Sequence, residues 1–264
     1  MRQKDWQNNS EPIGLMEPML PTEGSSHILN KLVVDIVTKS NALDAISQKE
    51  TPIDWIKAKL SLMGEIDQTL RRIWDKFGVN SEEDEKFSNL HRRGFDSIDE
   101  RMTSELKEIL NAPEVQAEGG WIAAATFGKE ASEWAWLIVQ HADHDVGFQI
   151  QMLSLLEELY AQDNSVAALQ NIAYLHDRIH VSQNKPQRYG TQGCRNADGI
   201  WHPAPCESIS IDVIDELRRR MGVGWTLVDY FNFMNRHIPD NNLHKKILLT
   251  VDSEDIIFLS HEMK

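Results

Sequence analysis

The chain reads as an all-α protein: an irregular multi-helix domain with a long polar loop and a small C-terminal β-hairpin. Three observations predict this class. Apolar residues recur at three- and four-residue spacing in segment after segment. Residues suited to helix ends, such as Thr51-Pro52, Asp145 and Asn111-Ala112-Pro113, stand where those patterns start and stop. Between residues 182 and 205 a run rich in Gly, Pro, Asn and Gln breaks the helical pattern, and only the end of the chain shows paired β-like runs.

The elements follow in order. Residues 1–26 mix charge with Pro, Gly, Ser and Asn and read as a flexible arm, with Met16, Met19 and Leu20 able to tuck against the body. Leu29, Leu32, Val33, Ile36 and Val37 predict a helix from His27 to Thr38. Thr51-Pro52 with Asp54 starts the next. Its face runs through Ile53, Ile56, Leu60, Met63, Ile66, Leu70, Ile73, Trp74 and Phe77 to a stop at Gly78. That is a helix of about 25 residues, long for a globular protein. The acidic stretch Ser81 to Lys86 begins another helical region, and Asp96 to Leu110 forms a helix ended by Asn111-Ala112-Pro113. Gly119-Gly120 is a loop. Lys129 to Ala142, apolar nearly all round, is expected to be a central helix. Val146 to Ala161 follows, with Asp145 as its N-cap, and then Val166 to His180. Ile211 to Met221 and Trp225 to Met234 close the helical part. Ile247 to Val251 and Ile256 to Leu259, around Asp252-Ser253-Glu254-Asp255, read as the hairpin. The expected division is an arm over 1–26, a helical domain over 27–240 and an extension over 241–264.

Bulk properties narrow the function classes. With 264 residues and 41% apolar residues the chain is long and apolar enough for a real core. A formal charge of −14 argues against nucleic acid or an anionic membrane as partner. The basic run Arg218-Arg219-Arg220 is too short to reverse that and reads as a solvated helix face. Apolar runs fall well short of the ~20 residues a membrane span requires, and residues 1–26 lack the apolar core of a secretory signal. Two cysteines, Cys194 and Cys206, suggest thiols in a reducing compartment, the cytoplasm, rather than a disulfide scaffold. Oligomeric state is not legible.

Two polar clusters look like a site. The first, His141-Ala142-Asp143-His144-Asp145, follows an apolar helical segment. The second joins Asp177-Arg178 to Pro186-Gln187-Arg188-Tyr189-Gly190-Thr191-Gln192. If the helix ran on unbroken, His141 and Asp145 would share a face; if it breaks at Asp143, His141 ends one helix and Asp145 caps the next. His141 is then either a base, acid or ligand in a pocket, or a residue that bonds a C-terminal carbonyl. Asp177-Arg178 is either a buried ion pair tying its helix to a neighbour, or Arg178 offers its planar fork to a carboxylate or phosphate on the ligand. The polar groups of Gln187 to Gln192 either contact a ligand or pin the long irregular segment to the core, with Gly190 allowing a close backbone approach. Cys194 is a poor nucleophile, lacking an assured base. Metal donors are present in the first cluster, and His176 with His180 has the spacing of two ligands on one helix face. The His-Asp pairs also suggest a metal-dependent phosphohydrolase, which would need a further histidine such as His91. A divalent metal is therefore the one cofactor under consideration.

These residues carry a resemblance. Trp136 to Asp143 with Asp145 and Phe148-Gln149, and Ala173-Tyr174-Leu175 with Asp177-Arg178 and Pro186 to Gln192, resemble the signature of an uncharacterised bacterial family, the domain of unknown function numbered 6624. Weaker echoes occur at Asp67-Gln68, Arg71, Leu106, Ile109 and Gly128, and Asp212 to Tyr230 is similar to the family's closing helix pair. The resemblance covers roughly residues 60–235. It brings no reaction. It implies that His141, Asp143, Asp145, Asp177, Arg178, Gln187, Tyr189, Gly190, Thr191 and Gln192 match the family pattern, and that His144, His176 and His180 stand at variable positions.

The expected function is a hydrolase-like enzyme acting on a small polar or anionic molecule by general acid–base chemistry. His141, Asp143 and Asp177 are its catalytic candidates, and Arg178, Gln187, Arg188, Tyr189, Thr191 and Gln192 its substrate-binding candidates. The alternative is a metabolite-binding or stress- and defence-associated module that uses the same residues without catalysis.

Overall fold

A computed structural model describes residues 27–46, 51–77, 85–196, 199–236 and 247. Among them ten helices and one small two-stranded sheet occur, so the all-α class stands. The helices are α1 (His27–Ala45), α2 (Pro52–Phe77), α3 (Glu85–Leu110), α4 (Pro113–Gln116), α5 (Ala124–Phe127), α6 (Lys129–Gln140), α7 (Val146–Gln162), α8 (Leu169–Ser182), α9 (Ile211–Arg220) and α10 (Leu227–Met234). The strands are β1 (Gly193–Arg195) and β2 (Trp201–Pro203). The arm over residues 1–26, the side chains of Trp74, Phe77 and His91, and the hairpin expected beyond Ile247 lie outside what is described.

The chain falls into two compact units. The first comprises residues 1–114 and 133–138. Here α1 packs on α2 and α2 on α3. The apolar stripe of α2 is buried as its spacing requires: Ile56, Leu60, Met63, Ile66 and Leu70 are each 0% exposed. Thr51 starts α2 by accepting the amide of Asp54 at 3.2 Å. Ion pairs join α2 to α3 outside the stripe: Lys59 with Glu105 at 2.5 Å and Arg71 with Asp99 at 2.5 Å, Arg71 also pairing with Asp67 of its own helix at 3.3 Å. Gly64 lies in α2 for a packing reason, because the Trp134 ring occupies the space that a Cβ there would take.

The second unit comprises residues 115–132 and 139–264. Within it α7 packs on α8, and α10 packs on both β2 and α9. One apolar cluster joins Trp201, Cys206, Ile214, Leu227, Phe231 and Ile247, and another joins Ala173, Tyr189 and Val223. The segment expected to be irregular over 182–205 contains the antiparallel sheet, in register Gly193 with Pro203, Cys194 with His202 and Arg195 with Trp201. Three-residue strands are too short for a period-2 pattern to show. Asn235 fixes this sheet to α10: its Oδ1 accepts the Trp201 amide at 2.8 Å, and its Nδ2 donates to the Trp201 and Phe231 carbonyls at 3.1 and 3.0 Å.

Several predicted helix ends shift: α3 runs unbroken from Glu85 rather than from Asp96, α6 ends at Gln140 rather than Ala142, and α10 starts at Leu227 rather than Trp225. Helix α1 runs seven residues beyond Thr38 to Ala45, and α8 starts at Leu169 rather than Val166. The short α4 and α5 escape a pattern read over longer windows. No helix among the described residues is long and apolar enough to cross a membrane.

Replacing a mid-helix glycine by alanine ordinarily gains about 0.5–1 kcal/mol. At Gly64 the sign should reverse. Gly64→Ala is expected to lose about 1–3 kcal/mol by forcing the Trp134 ring aside, read as a lowered midpoint in chemical denaturation. A stabilised variant would contradict the packing.

Candidate functional site

The first polar cluster resolves as a corner. Helix α6 stops at Gln140, and Asp145 caps α7 by accepting the Phe148 amide at 2.9 Å. The helix therefore breaks, and His141 and Asp145 do not share one helical face. At the end of α6 the Val139 carbonyl takes the Ala142 amide at 3.2 Å, and the Gln140 carbonyl lies beyond the helix's own hydrogen bonds. Gln149, 0% exposed on the first turns of α7, turns back to meet them: its Nε2 donates to the carbonyls of Val139 at 3.2 Å and Gln140 at 3.1 Å, and to Asp143 Oδ1 at 3.3 Å.

Asp143 is gripped from α8. Arg178 donates from Nε to Oδ1 and from Nη2 to Oδ2, each at 2.6 Å, the two-pronged geometry a guanidinium offers a carboxylate. The Asp143 side chain keeps 54% of its surface exposed and Arg178 keeps 23%. Partial burial pushes the Asp143 carboxyl up. Arg178, with smaller help from Gln149 and His141, outweighs that and holds it below the ordinary carboxylate range. Arg178 thus presents its fork to the chain's own carboxylate rather than to one on a ligand.

The expected Asp177–Arg178 pair is not formed; adjacent on α8, the two residues serve different partners. Asp177 is 0% exposed. Its carboxylate accepts the backbone amides of Arg188 at 2.9 Å, Tyr189 at 3.1 Å to either oxygen, and Thr191 at 3.0 Å, together with the Thr191 hydroxyl at 2.9 Å. Without that carboxylate these buried amides would lack a partner.

Arg218 takes the other polar edge of the same loop. Its Nη1 donates to the carbonyls of Tyr189 at 2.8 Å and Gly190 at 3.3 Å, and its Nε to the Trp225 carbonyl at 2.7 Å. The expectation of a solvated Arg218-Arg219-Arg220 face is corrected here. Arg219 and Arg220 are exposed and pair with Glu216 at 2.8 Å, whereas Arg218 is 1% exposed. A signal was present: Ile214, Leu217, Arg218 and Met221 follow helical spacing, which puts Arg218 inside the apolar stripe. Gly190, at φ 62°, makes the loop's turn against Leu227.

The remaining candidates are placed as follows. Gln187 is buried and spends its whole amide on the loop: Nε2 donates to the carbonyls of Gln192 and Ala204, and Oε1 accepts the Gln192 amide. Gln192 in turn donates from Nε2 to Thr191 Oγ1 at 3.2 Å. Arg188 points outward and pairs with Glu207 at 2.9 Å. Tyr189 is buried, its ring edge-on to His176 with centroids 5.5 Å apart. His176 and His180 stack at 4.0 Å, and the His180 Nδ1 lies 3.0 Å from the Pro186 carbonyl. Among the described residues no group of three His, Cys, Asp or Glu side chains is placed to hold a metal ion. Neither cysteine forms a disulfide; Cys194 is exposed, and burial pushes the Cys206 thiol up to about 12.

A family model described as a family of unknown function, DUF6624, matches residues 54–236, more than half of the chain. The chain belongs to the DUF6624 family. Comparison with curated proteins and with solved structures gave no match. The family match covers every group described above, from the α6–α7 corner to the clamped loop and Arg218.

Asp177→Asn should expose how much the loop depends on one carboxylate. Swapping an oxygen for an amide donor leaves buried loop amides without acceptors, and about 3 kcal/mol of stability is expected to go. Equilibrium denaturation measures it; a loss below about 1 kcal/mol would contradict the anchoring role.

Proposed function

We propose that this DUF6624 protein is an enzyme that acts on a small polar or anionic molecule by general acid–base chemistry, hydrolysis being the reaction type, at the corner between α6 and α7. The observation that supports it is the half-exposed Asp143 carboxylate, gripped by Arg178 two residues from His141. A carboxylate held ionised beside an imidazole is suited to orient that ring or to balance the charge it gains when it takes a proton. In this reading His141 moves the proton and Asp143 is its charge partner. Arg178 fixes Asp143 and lines the approach for an anionic group. Asp177, Gln187 and Thr191 act behind the site by building the loop, while Arg188 and Gln192 remain at its outer face. The free thiols fit a reducing compartment, the cytoplasm.

A second reading is ligand binding without turnover, as in a metabolite-sensing stress or defence module.

His141→Ala separates the two. Screened against a panel of small hydrolysable amides, esters and phosphoesters, it is expected to lose at least about 100-fold in turnover, with a melting temperature within about 3 °C of the parent. A fully active variant removes the acid–base reading; stabilisation of both proteins by a panel member that neither turns over supports the sensing one.

A further inference from the structure

The α6–α7 corner holds two buried amide oxygens that no donor meets among the described residues. The two Nε2 hydrogens of Gln149 are spent on the Gln140 carbonyl, on the Val139 carbonyl, which also takes the Ala142 amide at 3.2 Å, and on Asp143 Oδ1, which Arg178 also serves. The other end of the same amide, Gln149 Oε1, is buried and has no hydrogen-bond partner among the described residues. Gln140 Oε1, on a side chain 4% exposed at the end of α6, is in the same condition. Turning the Gln149 amide over would not help, because it would set its oxygen against two carbonyls and a carboxylate. Arg178 cannot serve these oxygens through Nε or Nη2, since both bond Asp143. The last carbonyls of α6 also carry the negative end of the helix dipole. Buried acceptors of this kind normally have a donor, and the surrounding chemistry disfavours an anion there.

We infer that this corner receives a nitrogen donor, the ammonium or primary amide end of a small molecule, which donates to Gln149 Oε1 beside Asp143. The inference rests on placing the functional site at this corner and narrows its substrate class from a small polar molecule to a small amine or amide. An ammonium group brings three N–H donors and a charge matched to the α6 terminus. A primary amide brings two donors and no charge. Both share the N–H chemistry the corner lacks. Any anionic group elsewhere on the ligand would face Arg178 rather than Gln149.

The test uses the full chain and four probes at constant ionic strength: methylammonium, acetamide, acetate and tetramethylammonium. The readouts are the side-chain amide resonances of Gln149 in a ¹⁵N spectrum and the melting temperature. Methylammonium or acetamide is expected to shift the Gln149 resonances saturably and to raise the melting temperature by about 3 °C at saturation. Acetate and tetramethylammonium, which have no N–H, are expected to do neither. A response to methylammonium alone assigns an ammonium; one to acetamide alone assigns a neutral amide. Gln149→Met should abolish the response, and if it does not fold the parent spectrum decides by itself. No response to either N–H probe, or an equal response to tetramethylammonium, overturns the inference. Neither readout needs turnover. An inactive His141→Ala enzyme whose parent ignores both N–H probes would sink this inference alone, and a fully active His141→Ala that still binds them would sink only the acid–base reading.

Discussion

A single buried carboxylate organises the most polar stretch of this chain. Asp177, on a face of α8 closed to solvent, accepts three backbone amides and a hydroxyl from the loop between α8 and β1. Arg218 of α9 donates to the carbonyls of the same loop. The loop is thus held by its amides on one side and by its carbonyls on the other, with Gly190 at the turn. An ionised group is worth burying only when its partners are complete. Asp177 finds them in backbone amides, whose positions the loop then cannot leave. Gln187 extends the arrangement by fastening the loop to Ala204 and to Gln192.

This arrangement separates the buried polar residues from the exposed ones. Asp177, Gln187 and Thr191 are occupied. Asp143, Arg178 and His141 stand where the α6–α7 corner meets α8, with Asp143 held ionised and half exposed. The α7–α8 packing sets the distance between Arg178 and Asp143, and the Asp145 cap sets where α7 begins. The corner therefore depends on the same helix that anchors the loop, since Asp177 and Arg178 are consecutive in α8. A register change in α8 would disturb the carboxylate anchor and the guanidinium grip together.

Much of the fold was legible because its signals are local. Thr51-Pro52, Asp145 and Asn111-Ala112-Pro113 mark helix boundaries by chemistry that needs no tertiary context, and the α2 stripe is long enough to be unmistakable. The residues of the corner and loop were also legible, through motif and resemblance. Their pairing was not. Sequence adjacency suggested Asp177 with Arg178, yet consecutive helical residues point in different directions, and each found a partner elsewhere. Arg218 was read by its charge when its position in an apolar stripe was the better guide. The β1–β2 pair is too short to leave a period, and nothing around Asn235 announces that it fastens Trp201. Gln149 stood in the motif, but its role depends on α6 ending where it does.

Amide hydrogen exchange resolved by residue addresses the central claim most directly. If the Asp177 carboxylate holds the loop, the Arg188, Tyr189 and Thr191 amides will exchange as slowly as the core amides of α8, through the same opening event. If they exchange at the rate of an open loop while α8 stays protected, the loop is not anchored there and the separation between buried loop and exposed corner is wrong.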